Sequence, residues 1–124
     1  MSTITLPSLT RLTPSALSAL LLASPNWPTQ PSPTVAVVDV RNSDHVGGHI
    51  PHHLWVPTST LDYKLPELVR TLKDKEKVVF HCALSQQRGP GAALRYARER
   101  ERMGMAGRQE VCVLDGGFVK WQEA

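Results

Sequence analysis

The chain has 124 residues, of which 41% are hydrophobic, and its 14 Lys and Arg exceed its 11 Asp and Glu to give a formal charge of +3. This length predicts one domain, residues 1–124, with a single core, and excludes two domains. The small positive excess suits anionic small molecules and falls short of the basic surface typical of nucleic-acid binding.

The first third of the chain predicts an edge strand, a helix and a loop. Leu6 to Leu12 favours a short edge strand, and Thr13 followed by Pro14 is typical of a helix start. We expect this helix to run to about Ala23. A signal peptide is the alternative for its apolar stretch, which is too short to span a bilayer, so we expect no membrane partner. Four prolines between residues 24 and 34 predict a surface loop.

The middle of the chain alternates between strand and helix patterns. Val35 to Val40 is rich in β-branched residues and predicts a central strand buried on both faces. A short strand follows from Leu54 to Val56. The spacing of apolar residues predicts a helix from Lys64 to Leu72, with Pro66 in its first turn.

The last third continues the alternation. A strand beginning at Val78 precedes a helix from Gly89 to about Met103, whose Ala92, Ala93, Tyr96 and Ala97 are expected to face the sheet. Val111 to Leu114 predicts another strand, followed by a terminal helix. Alternating strands and helices predict an α/β fold with a mainly parallel sheet.

The segment between the strand at Val78 and the helix start contains a cysteine and an arginine separated by five residues. Such a junction points successive backbone N–H groups inward and adds the positive end of the helix dipole, so it can hold an oxyanion. The same field favours a Cys82 thiolate, and the Arg88 guanidinium can bind two oxygens of one anion. An arginine at a helix start also opposes the dipole, which favours an anionic ligand. We predict Cys82 as nucleophile and Arg88 as oxyanion clamp. The predicted oxyanion-binding loop comprises Ala83, Leu84, Ser85, Gln86, Gln87 and Arg88.

Three further residues are predicted to support this loop. His81 precedes the nucleophile in a strand, so its side chain points to the opposite face, and we expect it to orient the loop through hydrogen bonds. Asp39 and Arg41 lie at the carboxyl end of a central strand, where ligands bind in open α/β sheets. They either assist proton transfer or form an ion pair that braces the loop. The sequence identifies no general acid.

Other reactive side chains have less specific patterns. Ser85 either donates its hydroxyl to the thiolate or bonds its own backbone. Cys112 lies in an apolar strand and is expected to be a core residue, with a resolving thiol as the alternative. Four histidines cluster between residues 45 and 53 without the other ligands of a complete site, so we predict no metal.

Cysteine content bears on the compartment. Two cysteines make no disulfide framework, and a thiol nucleophile needs a reducing compartment. We therefore expect a cytoplasmic protein, with the nucleus as the alternative.

Four motifs, in order and spacing, resemble the rhodanese domain. They are Asp39-Val40-Arg41, Gly48-His49-Ile50-Pro51, the cysteine loop, and Leu114-Asp115-Gly116-Gly117-Phe118 with Trp121. The resemblance covers nearly the whole chain. It implies a three-layer α/β fold in which helices flank a central, mainly parallel five-stranded sheet.

The length of the cysteine loop separates the chemistries of this superfamily. Rhodanese-type sulfurtransferases generally have a six-residue loop sized for a persulfide, whereas the span from Cys82 to Arg88 has seven residues. With His81 before the cysteine and Gly89 and Pro90 after the arginine, the loop resembles those of M-phase inducer phosphatases and eukaryotic arsenate reductases. The resemblance implies arsenate reduction, phosphate-ester hydrolysis or both. It implies no bound cofactor, a small oxyanion or phosphate-ester substrate, and glutathione and glutaredoxin as co-substrate and partner of a reductase.

Two departures limit the resemblance. Ala83 and Gln87 stand where inducer phosphatases carry acidic residues, which disfavours activity on a cyclin-dependent kinase. No part of the sequence matches the cysteine-rich metal-binding tail of some plant relatives, so no zinc site is implied. The alternatives are a thiosulfate-type sulfurtransferase that carries a persulfide on Cys82, and a non-catalytic anion-binding module. The intact pair of Cys82 and Arg88 disfavours the second.

Overall fold

The structure is a computed structural model that describes residues 9–25, 27, 29–30, 32–40, 53–81, 88–104 and 109–114. Of residues 58, 88 and 89 it describes the backbone. The predictions for Arg41, for loop residues 82–87, for three of the four clustered histidines and for the terminal helix lie outside these ranges.

Within the described ranges, five strands form one sheet in which every neighbouring pair is parallel. They are β1 (Thr10–Leu12), β2 (Val35–Asp39), β3 (Leu54–Trp55), β4 (Lys77–His81) and β5 (Glu110–Leu114), in the spatial order β1-β5-β4-β2-β3. β2 is buried along its whole length, as its β-branched sequence predicts. The predicted α/β fold with a five-stranded sheet is confirmed, and the described sheet is parallel throughout.

Helices cover both faces of this sheet. They are α1 (Pro14–Leu22), α2 (Thr58–Thr71) and α3 (Arg88–Arg102). On one face, Leu61 of α2 and Tyr96 of α3 join Phe80 of β4 in the larger hydrophobic cluster. On the other face, Leu17 and Leu21 of α1 pack in a smaller cluster. Helices on both sides of a sheet give the predicted three layers.

α1 begins where the sequence predicts. The Thr13 hydroxyl accepts a hydrogen bond of 3.1 Å from the backbone N–H of Ala16, and Pro14 is the first helical residue. Leu17 and Leu21 are buried, so this apolar stretch packs in the core, as expected for a helix of the domain and not for the alternative of a signal peptide. Across the described ranges, no helix has both the length and the apolar character needed to cross a membrane.

The predicted start of α2 is wrong. The helix begins at Thr58 instead of Lys64, and Pro66 lies in its interior instead of its first turn. An interior proline removes one backbone hydrogen bond, and threonine and serine are weak helix formers, so the sequence favoured a later start. Leu61 is fully buried and continues the apolar spacing that leads to Leu65. Burial of this additional turn outweighs the local propensity.

α3 confirms its predicted orientation. Ala92, Ala93, Tyr96 and Ala97 are buried against the sheet, as expected. On its outer side, the Arg95 guanidinium donates a 2.8 Å hydrogen bond to the Asp62 carboxylate of α2, which ties the two helices together at the surface.

Candidate active site

The candidate site lies where β4 ends and α3 begins. β4 ends at His81 and α3 starts at Arg88, so residues 82–87 connect the carboxyl end of a central strand to the beginning of a helix. Because the strands are parallel, their carboxyl ends meet at one edge, which is where open α/β sheets bind ligands. Cys82 is therefore the first residue after a central strand, and Arg88 is the first residue of a helix.

The beginning of α3 has the electrostatic character of an anion site. The helix has 15 residues, and its first turn contains no acidic side chain. The first N–H groups of a helix have no partner within the helix, and its aligned peptide dipoles make this end positive. An oxyanion or a thiolate is favoured at such a position.

Asp39 and His81, two of the predicted supporting residues, lie side by side in the sheet. They are register partners at the ends of β2 and β4, and each has an exposed fraction of 0%. The backbone N–H of Val40 donates a 2.9 Å hydrogen bond to the carbonyl of His81. The N–H of Val56 donates another of 2.9 Å to the carbonyl of Asp39. These two hydrogen bonds hold together the ends of three neighbouring strands at the carboxyl edge of the sheet.

Trp55 is a feature of this edge that the sequence analysis missed. It is the register partner of Asp39 on the outermost strand β3, and it is 51% exposed. An exposed aromatic side chain beside the carboxyl ends of the strands is a candidate for contact with a substrate. The sequence signal was weak, because a short apolar segment does not distinguish a buried strand from an exposed edge.

Cys112 is a core residue, as predicted. It lies in β5 with an exposed fraction of 0% and belongs to the smaller hydrophobic cluster. Burial, followed by the nearby Glu110 carboxylate, raises the pKa of its thiol to about 11. A thiol that stays protonated at neutral pH is a poor nucleophile, which disfavours the alternative of a resolving thiol.

Metal coordination finds no support in the described ranges. Among those residues, no three side chains of His, Cys, Asp or Glu are grouped so that they could hold a metal ion. His53 is described, whereas His45, His49 and His52 lie outside.

A cavity of about 810 Å³ lies at the opposite, amino end of the strands. Its lining includes Pro33, Val35, Lys77 and Glu110. The Lys77 ammonium and the Glu110 carboxylate form an ion pair, and that carboxylate also accepts a 2.7 Å hydrogen bond from the Thr10 hydroxyl. The predicted site residues belong to the other end of the sheet, so we assign the candidate site to the carboxyl end despite the size of this cavity.

A parallel α/β sheet with a Cys-x5-Arg segment between a central strand and a helix defines a class of proteins with an anion-binding cysteine loop. Residues 24–124 match the family model described as the rhodanese-like domain. The chain therefore belongs to the rhodanese-like family.

Its relatives include both phosphatases and arsenate reductases. It is 37% identical over 97 residues to the dual specificity phosphatase Cdc25 of Arabidopsis thaliana, covering 77% of this chain and 66% of the relative. It is 37% identical over 114 residues to arsenate reductase 2.1 of Oryza sativa subsp. japonica, covering 87% and 65%. The chain thus spans slightly less than two thirds of the length of these curated relatives. Among solved structures, the As-Sb reductase from Leishmania major superposes with a TM-score of 0.79 at 33% identity, covering 93% of this chain and 77% of that one.

Proposed function

We propose that this chain is a cysteine-dependent oxyanion enzyme, an arsenate reductase, a phosphatase or both, in which Cys82 is the nucleophile. The observation that carries the proposal is the interval of seven residues from Cys82 to Arg88, set between the end of β4 and the start of α3. Relatives named for either chemistry support it, because both reactions begin with attack on a tetrahedral oxyanion.

The first step is common to both reactions. The Cys82 thiolate attacks the phosphorus or arsenic atom of an oxyanion held by the backbone N–H groups of residues 83–88. Arg88 binds two oxygens and stabilises the charge that develops as the new bond to sulfur forms. In this proposal His81, Asp39 and Arg41 brace the loop and take no part in bond making.

With a phosphate ester, the S–P bond forms as the ester P–O bond breaks, and the departing oxygen takes a proton. Water then attacks the cysteinyl-phosphate, the S–P bond breaks, and phosphate leaves while the Cys82 thiolate is restored. No residue is assigned as the proton donor.

With arsenate, the S–As bond forms as one arsenic-bound oxygen leaves as water. A glutathione thiolate then attacks the Cys82 sulfur, so that a mixed disulfide forms and arsenic departs as arsenite with two more electrons. Glutaredoxin, supplied with a second glutathione, reduces this disulfide and restores Cys82. The arsenic gains the two electrons that the two thiols lose, and no bound cofactor is required.

The proposed chemistry predicts the compartment and the partners of this chain. A thiolate nucleophile and a glutathione co-substrate need a reducing compartment, so we place the protein in the cytoplasm, with the nucleus as the alternative. Residues 1–124 are taken as one rhodanese-like domain acting on a small oxyanion or phosphate ester, with neither nucleic acid nor membrane as a partner.

Three assays on the purified chain test the proposal. They are arsenate reduction with glutathione and glutaredoxin, hydrolysis of p-nitrophenyl phosphate, and sulfur transfer from thiosulfate to cyanide. We expect activity in the first, the second or both, and a loss of about 10³-fold or more in Cys82→Ser. Cys112→Ala is the matched control, because it removes the buried thiol and leaves the loop intact. Activity in the third assay alone, or full activity of Cys82→Ser, would overturn the proposal.

A further inference from the structure

Trp55 is a large apolar side chain that is half exposed at the carboxyl edge of the sheet. Four large hydrophobic side chains are exposed among the described residues, and Trp55, at 51%, is the one that ends a strand. An aromatic side chain that stays exposed beside a candidate site favours a role in binding.

The backbone around Trp55 is fixed on both sides. Trp55 is the register partner of Asp39, and the N–H of the next residue, Val56, donates a 2.9 Å hydrogen bond to the Asp39 carbonyl. Pro57 then restricts the backbone directly before α2 begins at Thr58. A ring on a fixed backbone suits recognition, because little conformational entropy is lost when a ligand binds to it.

The strand register places Trp55 close to the proposed nucleophile. Asp39 lies between Trp55 of β3 and His81 of β4, and His81 directly precedes Cys82. Neighbouring strands lie about 4.8 Å apart, so the Cα atoms of Trp55 and His81 are about 10 Å apart. An indole on one side and an organic group attached to a loop-bound oxyanion on the other can bridge a gap of this size.

A cavity of about 190 Å³ beside Trp55 extends this apolar surface between β3 and α2. Its apolar lining residues are Leu54, Trp55, Val56 and Leu68. Its charged lining residues are Lys64 and Glu67, whose opposite charges favour a neutral group over a second ion. The volume exceeds the roughly 150 Å³ of an apolar cavity that can hold a benzene ring. The flank next to Trp55 therefore has room for a neutral, apolar organic group.

We propose that Trp55 and this cavity form a subsite for the organic group of a phosphate ester, and that Trp55 makes the chain prefer an aryl group over a small alkyl group. The indole offers a flat π-surface on which an aromatic ring stacks, whereas a methyl group covers little of it. Inorganic arsenate has no organic group, so the subsite affects the ester reaction alone. Trp55 is a specificity-determining residue. The inference rests on the proposed function, which assigns the oxyanion to the loop that begins at Cys82.

Two phosphonates test the subsite without depending on turnover. Phenylphosphonate and methylphosphonate have the same oxyanion head and a P–C bond that resists hydrolysis, and they differ in the organic group. Each is added at rising concentration while the alkylation of Cys82 by iodoacetamide is followed by mass spectrometry. The concentration that halves the alkylation rate reports the dissociation constant of the phosphonate.

In the parent, we expect phenylphosphonate to bind about 10-fold more tightly than methylphosphonate, because only the phenyl ring stacks on the indole. In Trp55→Ala the two dissociation constants should come within about 3-fold of each other, with that of methylphosphonate unchanged. Three results would overturn the subsite: no protection by either phosphonate, equal constants in the parent, or an unchanged ratio in Trp55→Ala. If Trp55→Ala does not fold, Trp55→Leu takes its place, because leucine keeps an apolar side chain and removes the π-surface.

Two control variants separate recognition by Trp55 from a general effect on structure. Trp55→Phe retains an aromatic ring and should keep most of the preference for phenylphosphonate. Tyr63→Ala removes another exposed aromatic side chain, 72% exposed on α2 and outside the cavity lining, and should change neither constant. If Trp55→Ala weakens methylphosphonate as much as phenylphosphonate, Trp55 shapes the loop and the subsite is overturned.

The failure of the subsite and the failure of the proposed function give different results. If Cys82→Ser stays active in the assays above, the proposed function fails. If Cys82→Ser is inert and the parent binds the two phosphonates equally, the subsite alone fails.

Discussion

The polar side chains at the two ends of the parallel sheet differ in their exposure to solvent. At the amino end, Lys77 and Glu110 are partly exposed and form an ion pair, and the Lys75 ammonium donates a 3.0 Å hydrogen bond to the Ser32 carbonyl. At the carboxyl end, Asp39 and His81 are enclosed completely. Exposed, paired groups cost little to place, whereas buried ionisable groups are costly and concentrate at functional sites. The contrast supports the proposal that the amino end stabilises the fold and that the carboxyl end carries the chemistry.

A hydrogen-bonded side chain near the amino end illustrates the stabilising role. The Gln109 amide donates hydrogen bonds to the carbonyls of Leu72, at 2.7 Å, and Lys75, at 3.0 Å. Its oxygen accepts a 2.6 Å bond from the Tyr96 hydroxyl. One side chain therefore joins the end of α2, the middle of α3 and the segment before β5.

The largest expected difference is between the alkylation rates of Cys82 and Cys112. At pH 8, a thiol with a pKa of about 11 is ionised in only about one molecule in 10³, so Cys112 should react with iodoacetamide at least about 10²-fold more slowly than Cys82. Mass spectrometry of the native protein after timed labelling measures both rates. Unfolding in urea should remove most of the difference. Equal labelling of the two thiols in the native protein would contradict the prediction that Cys82 is the reactive thiol and Cys112 the buried one.

Two arginines of α3 provide a matched pair of substitutions. Arg88→Lys should lower kcat/KM about 10²-fold, because an ammonium cannot bind two oxygens of one anion as a guanidinium does. Arg95→Lys, seven residues further along the helix, alters a surface pair with Asp62 and should leave kcat/KM within about 2-fold. Steady-state kinetics of both variants measure these changes in kcat/KM. A similar loss in both would mean that the effect comes from the helix and not from the site.

Substitution of Gln109 should lower stability without a selective loss of activity. Gln109→Ala removes three hydrogen bonds, and we expect the free energy of unfolding to fall by about 2 kcal/mol in urea titrations. Tyr96→Phe removes one of the three and should cost about 1 kcal/mol. The kcat of the folded fraction should stay close to that of the parent. A specific fall in kcat would show that the amino end contributes to the chemistry.

The smallest effect concerns Glu110. Its hydrogen bond to Lys77, followed by that to Thr10, lowers the pKa of this carboxyl below its ordinary value of 4.5. A lowered folded-state pKa stabilises the protein above the unfolded-state pKa, and this stabilisation is lost as the pH falls through the folded value.

Glu110→Gln should therefore lower the free energy of unfolding by about 0.5 kcal/mol at pH 7, because the pair is partly exposed, and by less as the pH falls below 4.5. Urea titrations between pH 7 and pH 3 measure this difference, with the exposed Glu67→Gln as control. If the difference in the free energy of unfolding between Glu110→Gln and the parent grew as the pH fell, the predicted direction of the pH dependence would be wrong.

The sequence predicted the order of the elements because strong local patterns coincide with tertiary burial. Val35 to Val40 is an example, since a β-branched run without polar alternation suits a strand covered on both faces. The start of α2 was not predictable in this way. Thr58 and Pro66 disfavour helix locally, while the burial of Leu61 depends on contacts with elements distant in sequence.

For the candidate site, the sequence predicts a nucleophile and an oxyanion clamp, but it does not predict which residues of other strands lie beside them. The spacing of Cys82 and Arg88 is a local motif, so it could be read directly from the sequence. The adjacency of Asp39 and His81 depends on which strands are neighbours and in what register, and neither is a local property. The role of Gln109 depends on three elements at once, so no local signal marked it.

The strand order has a consequence for how copies of this chain meet one another. The two outer strands are the shortest of the sheet, with three residues in β1 and two in β3, whereas each inner strand has five. The unpaired backbone N–H and C=O groups of an edge strand can pair with a strand of another molecule, and a short edge strand has too few of these groups for a stable pairing. The inner strands each contain two or three valines and are largely buried, and they are the segments most prone to form cross-β assemblies. They are shielded as long as the edges remain in place, so partial unfolding at β1 or β3 is the event expected to start aggregation.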